Sequence, residues 1–140
     1  HLAPNWTQAV KQMSQLLRDG DSVHQMMQVT GEEGITLEDF VTYQKATFLD
    51  MVYLQQDAFD PVDVSMPLNR QRESFLLAKR LIDREYRFDD KEAARDYFIR
   101  LTCLFKNLNY SPRYSKDYTN FLGQIEQLER EYYAGAVATN

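Results

Sequence analysis

The chain has 140 residues, a length that suits one domain with a substantial buried core. Its net charge of −5 argues against non-specific nucleic-acid binding, which needs a positive surface to displace counterions. The single cysteine excludes an intramolecular disulfide and fits a reducing compartment. The sequence also lacks the run of about 18 apolar residues that would predict a membrane span.

The first third of the chain predicts three helices. The first begins after a cap at Asn5 and ends at Asp19-Gly20-Asp21, because glycine between two aspartates is typical of a helix stop. A short second helix covers Ser22–Thr30 and stops at Gly31. The third begins at Thr36, whose hydroxyl can cap the free amides of the first turn.

The middle of the chain predicts a loop followed by a fourth helix. Residues 55–66 break the helical pattern with Pro61 and three aspartates, so they predict an ordered loop. The fourth helix then carries apolar residues at helical spacing down to Phe88. Its basic residues predict a solvated flank or, alternatively, a docking surface for an acidic partner. These residues are Arg70, Arg72, Lys79, Arg80, Arg84 and Arg87.

Two helices are predicted in the last third. Asp89 or Asp90 caps the fifth helix and Ser115 caps the sixth. Cys103 borders the apolar face of the fifth helix, which predicts a buried structural thiol. Gly123, inside the sixth helix, suggests close packing. Three acidic residues of the same helix predict a solvated face: Glu126, Glu129 and Glu131.

Helical periodicity covers most of the chain, and strand-like alternation is absent. The sequence therefore predicts an all-α fold, an antiparallel helical bundle of about six helices joined by short connections. We expect residues 1–140 to form a single helical domain. The chain begins at His1 without an initiator Met, which suggests a processed or excised chain.

Residue patterns for catalysis or metal binding are weak. None of the five glycines belongs to a phosphate-binding loop, and two histidines without a cysteine cluster do not predict a zinc site. His24 is interpreted as a surface or hydrogen-bonded core residue rather than a catalyst. Asp57, Asp60 and Asp63 are interpreted as loop-capping residues rather than calcium ligands. We therefore predict no catalytic and no metal-binding residue within the chain.

The predicted loop carries the most specific motif. It resembles the Phe-Leu-Gln-Gln-(Asn/Asp)-Ala-Phe signature, followed by Val-Asp, of the catalytic A subunit of V-type and A-type rotary ATPases. Tyr53 stands where that family usually has Phe, while Val29-Thr30-Gly31 and Pro67-Leu68 also resemble it. The matching signature residues are Leu54, Gln55, Gln56, Asp57, Ala58, Phe59, Val62 and Asp63.

The resemblance implies a C-terminal helical domain whose nucleotide-binding domain is absent from this chain. The phosphate loop, the catalytic Glu and the metal ligands would belong to that preceding domain, so the chain alone would not hydrolyse ATP. The intact subunit would bind ATP or ADP with Mg. Gln56, Ala58 and Phe59, with Gln55 as a weaker candidate, would lie at the adenine end of the nucleotide.

The resemblance also implies a set of partners. The intact subunit would alternate with non-catalytic B subunits and couple ATP hydrolysis or synthesis to rotation of central-stalk subunits, and so to proton or sodium transport. It would be cytoplasmic and peripheral on the membrane, without direct membrane insertion. The helical domain would act as a rigid lever because packed interiors are dense and poorly compressible.

Two other functions remain open from the residues alone. A free-standing helical protein-interaction module would be a complete gene product that starts at its own Met. A ligand-binding or catalytic helical bundle would need convergent polar residues in its core, whereas the helical faces are almost purely apolar.

Overall fold

The computed structural model describes residues 4–51, 68–112 and 115–132. Five α-helices lie in these ranges: α1 Pro4–Thr30, α2 Leu37–Leu49, α3 Leu68–Asp83, α4 Lys91–Tyr110 and α5 Lys116–Tyr132. A short 3-10 turn, Glu32–Gly34, joins α1 to α2. The predicted all-α class is confirmed. Helix α2 packs against both α1 and α4, and α4 also packs against α5.

Helix α1 is longer than predicted. It continues through Gly20 to Thr30, so the predicted stop at Asp19-Gly20-Asp21 and the separate second helix over Ser22–Thr30 are wrong. Gly20 is buried where α1 meets α2, and a Cβ atom added to it would lie 2.3 Å from the Cβ of Ala46. This glycine therefore permits a close helix contact and does not end the helix.

The turn between α1 and α2 follows the predicted capping residues. Gly31 has a positive φ of 81°, which glycine adopts readily because it lacks a Cβ atom, and its amide donates to the carbonyl of Met27 at 2.8 Å. The hydroxyl of Thr36 accepts a hydrogen bond from the amide of Asp39 at 3.0 Å. The predicted helix stop at Gly31 and helix start at Thr36 are both confirmed.

Helix α3 ends at Asp83, five residues before the predicted end at Phe88. Tyr86 and Phe88 nevertheless reach the core, and both rings contact Tyr97 of α4, with centroids 4.7 and 5.6 Å away. Residues two apart lie on one side of an extended segment but on different faces of a helix. Leaving the helix therefore allows both rings to pack on the same partner.

Helix α4 supplies much of the core. The side chain of Asp90 caps it by accepting from the amide of Ala93 at 2.9 Å, which confirms the predicted start. One face is buried along the whole helix and consists of Ala94, Tyr97, Phe98, Leu101, Phe105 and Leu108. Cys103 is exposed, so the prediction of a buried thiol is wrong. Its position lies between those of Leu101 and Phe105, on the side of the helix that faces away from the core.

Helix α5 begins as predicted, because the hydroxyl of Ser115 accepts from the amide of Tyr118 at 3.1 Å. Ile125 and Leu128 are buried against the core. Gly123 is exposed, and no packing partner among the described residues lies within 4 Å of a Cβ atom added to it, so its predicted role in close packing is wrong.

Candidate functional site

The residues predicted to bind nucleotide lie outside the described residues. Gln55, Gln56, Ala58 and Phe59 all fall between Met51, where the first described range ends, and Leu68, where α3 begins. The structure instead describes the two helices on either side of this segment. We call residues 52–67 the signature segment.

A groove between α1 and α2 lies where the chain enters the signature segment. It has a volume of about 550 Å³, and its lining includes Asp21, His24, Asp50 and Met51. The ring of exposed His24 stacks on Tyr43, with centroids 5.7 Å apart and planes within 6°. Among the described residues that line this groove there are two carboxylates and no Lys or Arg, whereas a phosphate group favours positive charge and free amides.

A polar junction joins α2, α3 and α5 on another part of the surface. The ammonium of Lys45, in α2, donates to the carbonyl of Arg84 at 3.0 Å. The guanidinium of Arg84 donates through Nε to the Oε2 atom of Glu129 in α5, at 2.5 Å. Arg80, in the last turn of α3, donates to the Oε1 atom of the same carboxylate at 3.1 Å. We call this set of four residues the Arg84 junction.

The Arg84 junction corrects two predictions from the sequence. Glu129 is 5% exposed, so it does not belong to a solvated acidic face. Arg80 and Arg84 hold that carboxylate and are not simply a solvated flank of α3. The signal was present in the sequence: Glu129 adjoins the core residue Leu128 and lies four residues after Ile125, on the same helical face.

Burial shifts the pKa of one residue of the Arg84 junction. The pKa of Lys45 is lowered mainly because burial disfavours its charged form, although the nearby carboxylates of Asp83 and Glu85 act in the opposite direction. Its ammonium also lies 5.7 Å from the ring centroid of Tyr86. The hydrogen bond to Arg84 is therefore made in a partly dry environment, where it is stronger than in water.

A cluster of aromatic rings lies beside the Arg84 junction. Tyr97 is fully buried, and its hydroxyl, although close to the hydroxyl of Tyr86, makes no hydrogen bond of acceptable geometry among the described residues. The hydroxyl of Tyr86 donates to the carbonyl of Leu81 at 2.6 Å. Burial raises the pKa of both tyrosines well above the ordinary value, so both hydroxyls are neutral at physiological pH.

Replacing Tyr97 by phenylalanine is expected to raise the free energy of unfolding by up to about 1 kcal/mol, because a buried hydroxyl without a partner is removed. Urea denaturation measures the change. Tyr86→Phe is the matched control and should lower the free energy of unfolding by about 1 kcal/mol, since it loses a hydrogen bond. A clear destabilisation by Tyr97→Phe would show that its hydroxyl has a favourable partner.

The described residues offer little for metal chemistry or membrane insertion. Among them, no group of three or more His, Cys, Asp or Glu side chains converges to hold a metal ion. Within the same ranges, no helix combines the length and the apolar composition of a membrane span.

Comparison with known proteins identifies the class of this all-α chain. Residues 1–95 match the family model described as the C-terminal domain of V and A type ATP synthase. That match covers more than half of the chain, so the chain belongs to this family. It includes α1, α2, α3 and the start of α4.

Several curated relatives carry the name V-type ATP synthase alpha chain. The protein of Chlamydia abortus is 42% identical over 113 residues, which cover 81% of this chain and 19% of the relative. That of Protochlamydia amoebophila is 37% identical over 135 residues, which cover 94% of this chain and 23% of the relative. The chain thus spans about a fifth of the length of these relatives. No solved structure matches it.

Proposed function

We propose that this chain is the C-terminal helical part of the catalytic subunit of a V-type ATP synthase. The intact subunit couples ATP hydrolysis or synthesis to rotation of a central stalk, and so to proton or sodium transport. The observation that carries this proposal is the family match over residues 1–95, supported by 42% identity to the V-type ATP synthase alpha chain of Chlamydia abortus.

The proposal assigns ATP or ADP with Mg to the preceding nucleotide-binding domain. The groove between α1 and α2 supports this division, because its described lining holds two carboxylates and no Lys or Arg, whereas a triphosphate favours positive groups. The partners are non-catalytic B subunits and central-stalk subunits. The complex places the subunit on the cytoplasmic side of the membrane as a peripheral component.

Within the subunit, the signature segment forms the adenine end of the nucleotide pocket. Ala58 allows close approach to the base and Phe59 supplies an apolar wall, with Gln56 and, as a weaker candidate, Gln55 at the same end of the nucleotide. The end of α2, which precedes the segment, is firmly packed, because Phe48 and Leu49 are buried. Sites held by well-packed elements keep their geometry more accurately than sites on free loops.

Replacing Phe59 by alanine in the intact subunit is expected to weaken ATP binding by about 5- to 150-fold, because base–aromatic stacking contributes about 1–3 kcal/mol. Isothermal titration with ATP measures the dissociation constant. Phe59→Trp is the matched control and should retain most of the affinity, since it keeps a flat aromatic surface. Equal affinities for the alanine variant and the natural protein would argue against this role of the signature segment.

A further inference from the structure

A groove lies between α2 and the stretch of chain that follows α3. It has a volume of about 590 Å³. One wall is a single face of α2, because Leu37, Val41 and Lys45 follow one another at intervals of four residues. The other wall is aromatic and includes half-buried Tyr86 and buried Phe88. We call this feature the aromatic groove.

The rim of the aromatic groove is charged and open to solvent. Glu38, Glu85 and Arg87 line the groove, and all three are exposed. The end of α3 adds the charges of Asp83 and Arg84 nearby. Because these charges are mixed in sign, the rim does not repel a small anion or cation from solution.

The amine of Lys45 is the reactive group of the aromatic groove. It donates to the carbonyl of Arg84 at 3.0 Å and lies 5.7 Å from the ring centroid of Tyr86. Among the described residues, no carboxylate forms an ion pair with it. Burial lowers its pKa, although Asp83 and Glu85 act in the opposite direction, so more of the amine is neutral near physiological pH than in an ordinary lysine. A neutral amine is the nucleophilic form.

We propose that Lys45 is an acylation site whose amine accepts an acyl group from an acyl phosphate or an acyl thioester. The neutral nitrogen attacks the carbonyl carbon of the donor, and a C–N bond forms while the bond from that carbon to the phosphate oxygen or thioester sulfur breaks. The leaving phosphate or thiolate takes the electron pair of the broken bond and receives the proton that the nitrogen loses. This reactivity goes beyond the proposed function and does not depend on nucleotide binding.

The acylated side chain fits the same surroundings. Its amide nitrogen keeps one N–H, which can still donate to the carbonyl of Arg84. The methyl of an acetyl group has room in the aromatic groove beside Tyr86 and Phe88, where apolar contact is favourable. Acylation also removes a charge that is costly to bury beside these rings.

The test treats the intact subunit with acetyl phosphate at about pH 7.5 and measures acetylation of each lysine by peptide mass spectrometry. Lys91 is the matched control, because it also donates to a backbone carbonyl, that of Glu32 at 2.7 Å, but at an exposed position. We expect Lys45 to be acetylated about threefold or more faster than Lys91. In urea, where the aromatic groove is lost, the two lysines should react at similar rates.

Two further measurements separate this reactivity from simple access to the reagent. The ratio of the two rates should fall as the pH rises toward 10.5, the ordinary pKa of lysine, because the advantage of Lys45 lies in its neutral share at lower pH. Glu85→Gln removes an exposed carboxylate that favours the charged ammonium. It should therefore speed acetylation of Lys45 by about 1.5- to fivefold at pH 7.5 and leave Lys91 unchanged.

A parallel reaction with acetyl coenzyme A identifies the donor. Faster acetylation of Lys45 than of Lys91 with either reagent supports the site and shows which class of donor it accepts. If Lys45 reacts no faster than Lys91 with both reagents, or if the ratio does not change with pH, the inference is wrong. Neither result bears on nucleotide binding at the signature segment, which Phe59→Ala tests separately.

Discussion

Replacing Gly20 by valine is expected to lower the free energy of unfolding by about 3 kcal/mol or more, at the upper end of the cost of overpacking a core. The first added carbon alone would lie 2.3 Å from the Cβ of Ala46. Both atoms belong to packed helices, since Gly20 and Ala46 are buried where α1 meets α2. The clash can be relieved only by separating the two helices, which exposes apolar surface on both.

The measurement is urea denaturation of Gly20→Val beside Gly123→Ala. Gly123 also lies inside a helix, but an added Cβ atom would meet none of the described side chains within 4 Å. Alanine at that position should raise the free energy of unfolding by about 0.5–1 kcal/mol, because it reduces the backbone freedom of the unfolded chain. If Gly20→Val did not lower the free energy of unfolding relative to Gly123→Ala, the described contact of α1 with α2 would be wrong.

Replacing Glu129 by alanine is expected to lower the free energy of unfolding by about 2–3 kcal/mol, less than the 3–5 kcal/mol typical of breaking a fully buried ion pair. We expect this smaller loss of stability because the side chains of Arg80 and Arg84 are 42% and 29% exposed and can turn toward water. The carboxylate is itself 6% exposed, so the substitution also leaves a small cavity beside α3.

Glu126→Ala is the matched control for this prediction. Glu126 lies one turn earlier in α5 and is exposed. Its replacement should change the free energy of unfolding by no more than about 0.5 kcal/mol, as expected for an exposed surface residue. Similar small effects of both substitutions would mean that the bonds of Glu129 to Arg80 and Arg84 do not stabilise the fold.

Local features of the fold could be predicted from the sequence. All three predicted capping residues are confirmed, namely Thr36, Asp90 and Ser115. A cap is predictable because its side chain binds an amide only three residues further on. The helix stop at Gly31 is confirmed for a similar reason, since the positive φ found there depends on that residue alone. Signals of this kind do not depend on what the rest of the chain does.

Features that depend on distant residues could not be predicted in this way. Gly20 resembles a helix stop in sequence, but its role is set by Ala46 on another helix. The end of α3 at Asp83 depends on packing of Tyr86 and Phe88 against Tyr97. Tertiary contacts override local preference in both cases, because burying a large side chain contributes more than one favourable turn of helix.

The candidate site also has one part that only the structure shows and one part that the sequence predicts. The Arg84 junction needed the structure, because its partners Lys45 and Glu129 lie 39 and 45 residues from Arg84 in sequence. The nucleotide-binding role of Gln55, Gln56, Ala58 and Phe59 comes from the family resemblance and stays a prediction. The family match over residues 1–95 includes the signature segment, and the proposed role of these four residues is tested on the intact subunit.

An experimental structure of the intact subunit with bound ATP is the most direct test of the central claim, that the signature segment forms one edge of the nucleotide pocket. We expect the ring of Phe59 to lie within about 4.5 Å of the adenine, the distance of apolar contact. A Phe59 ring buried among the helices of this chain, out of reach of the nucleotide, would contradict the claim.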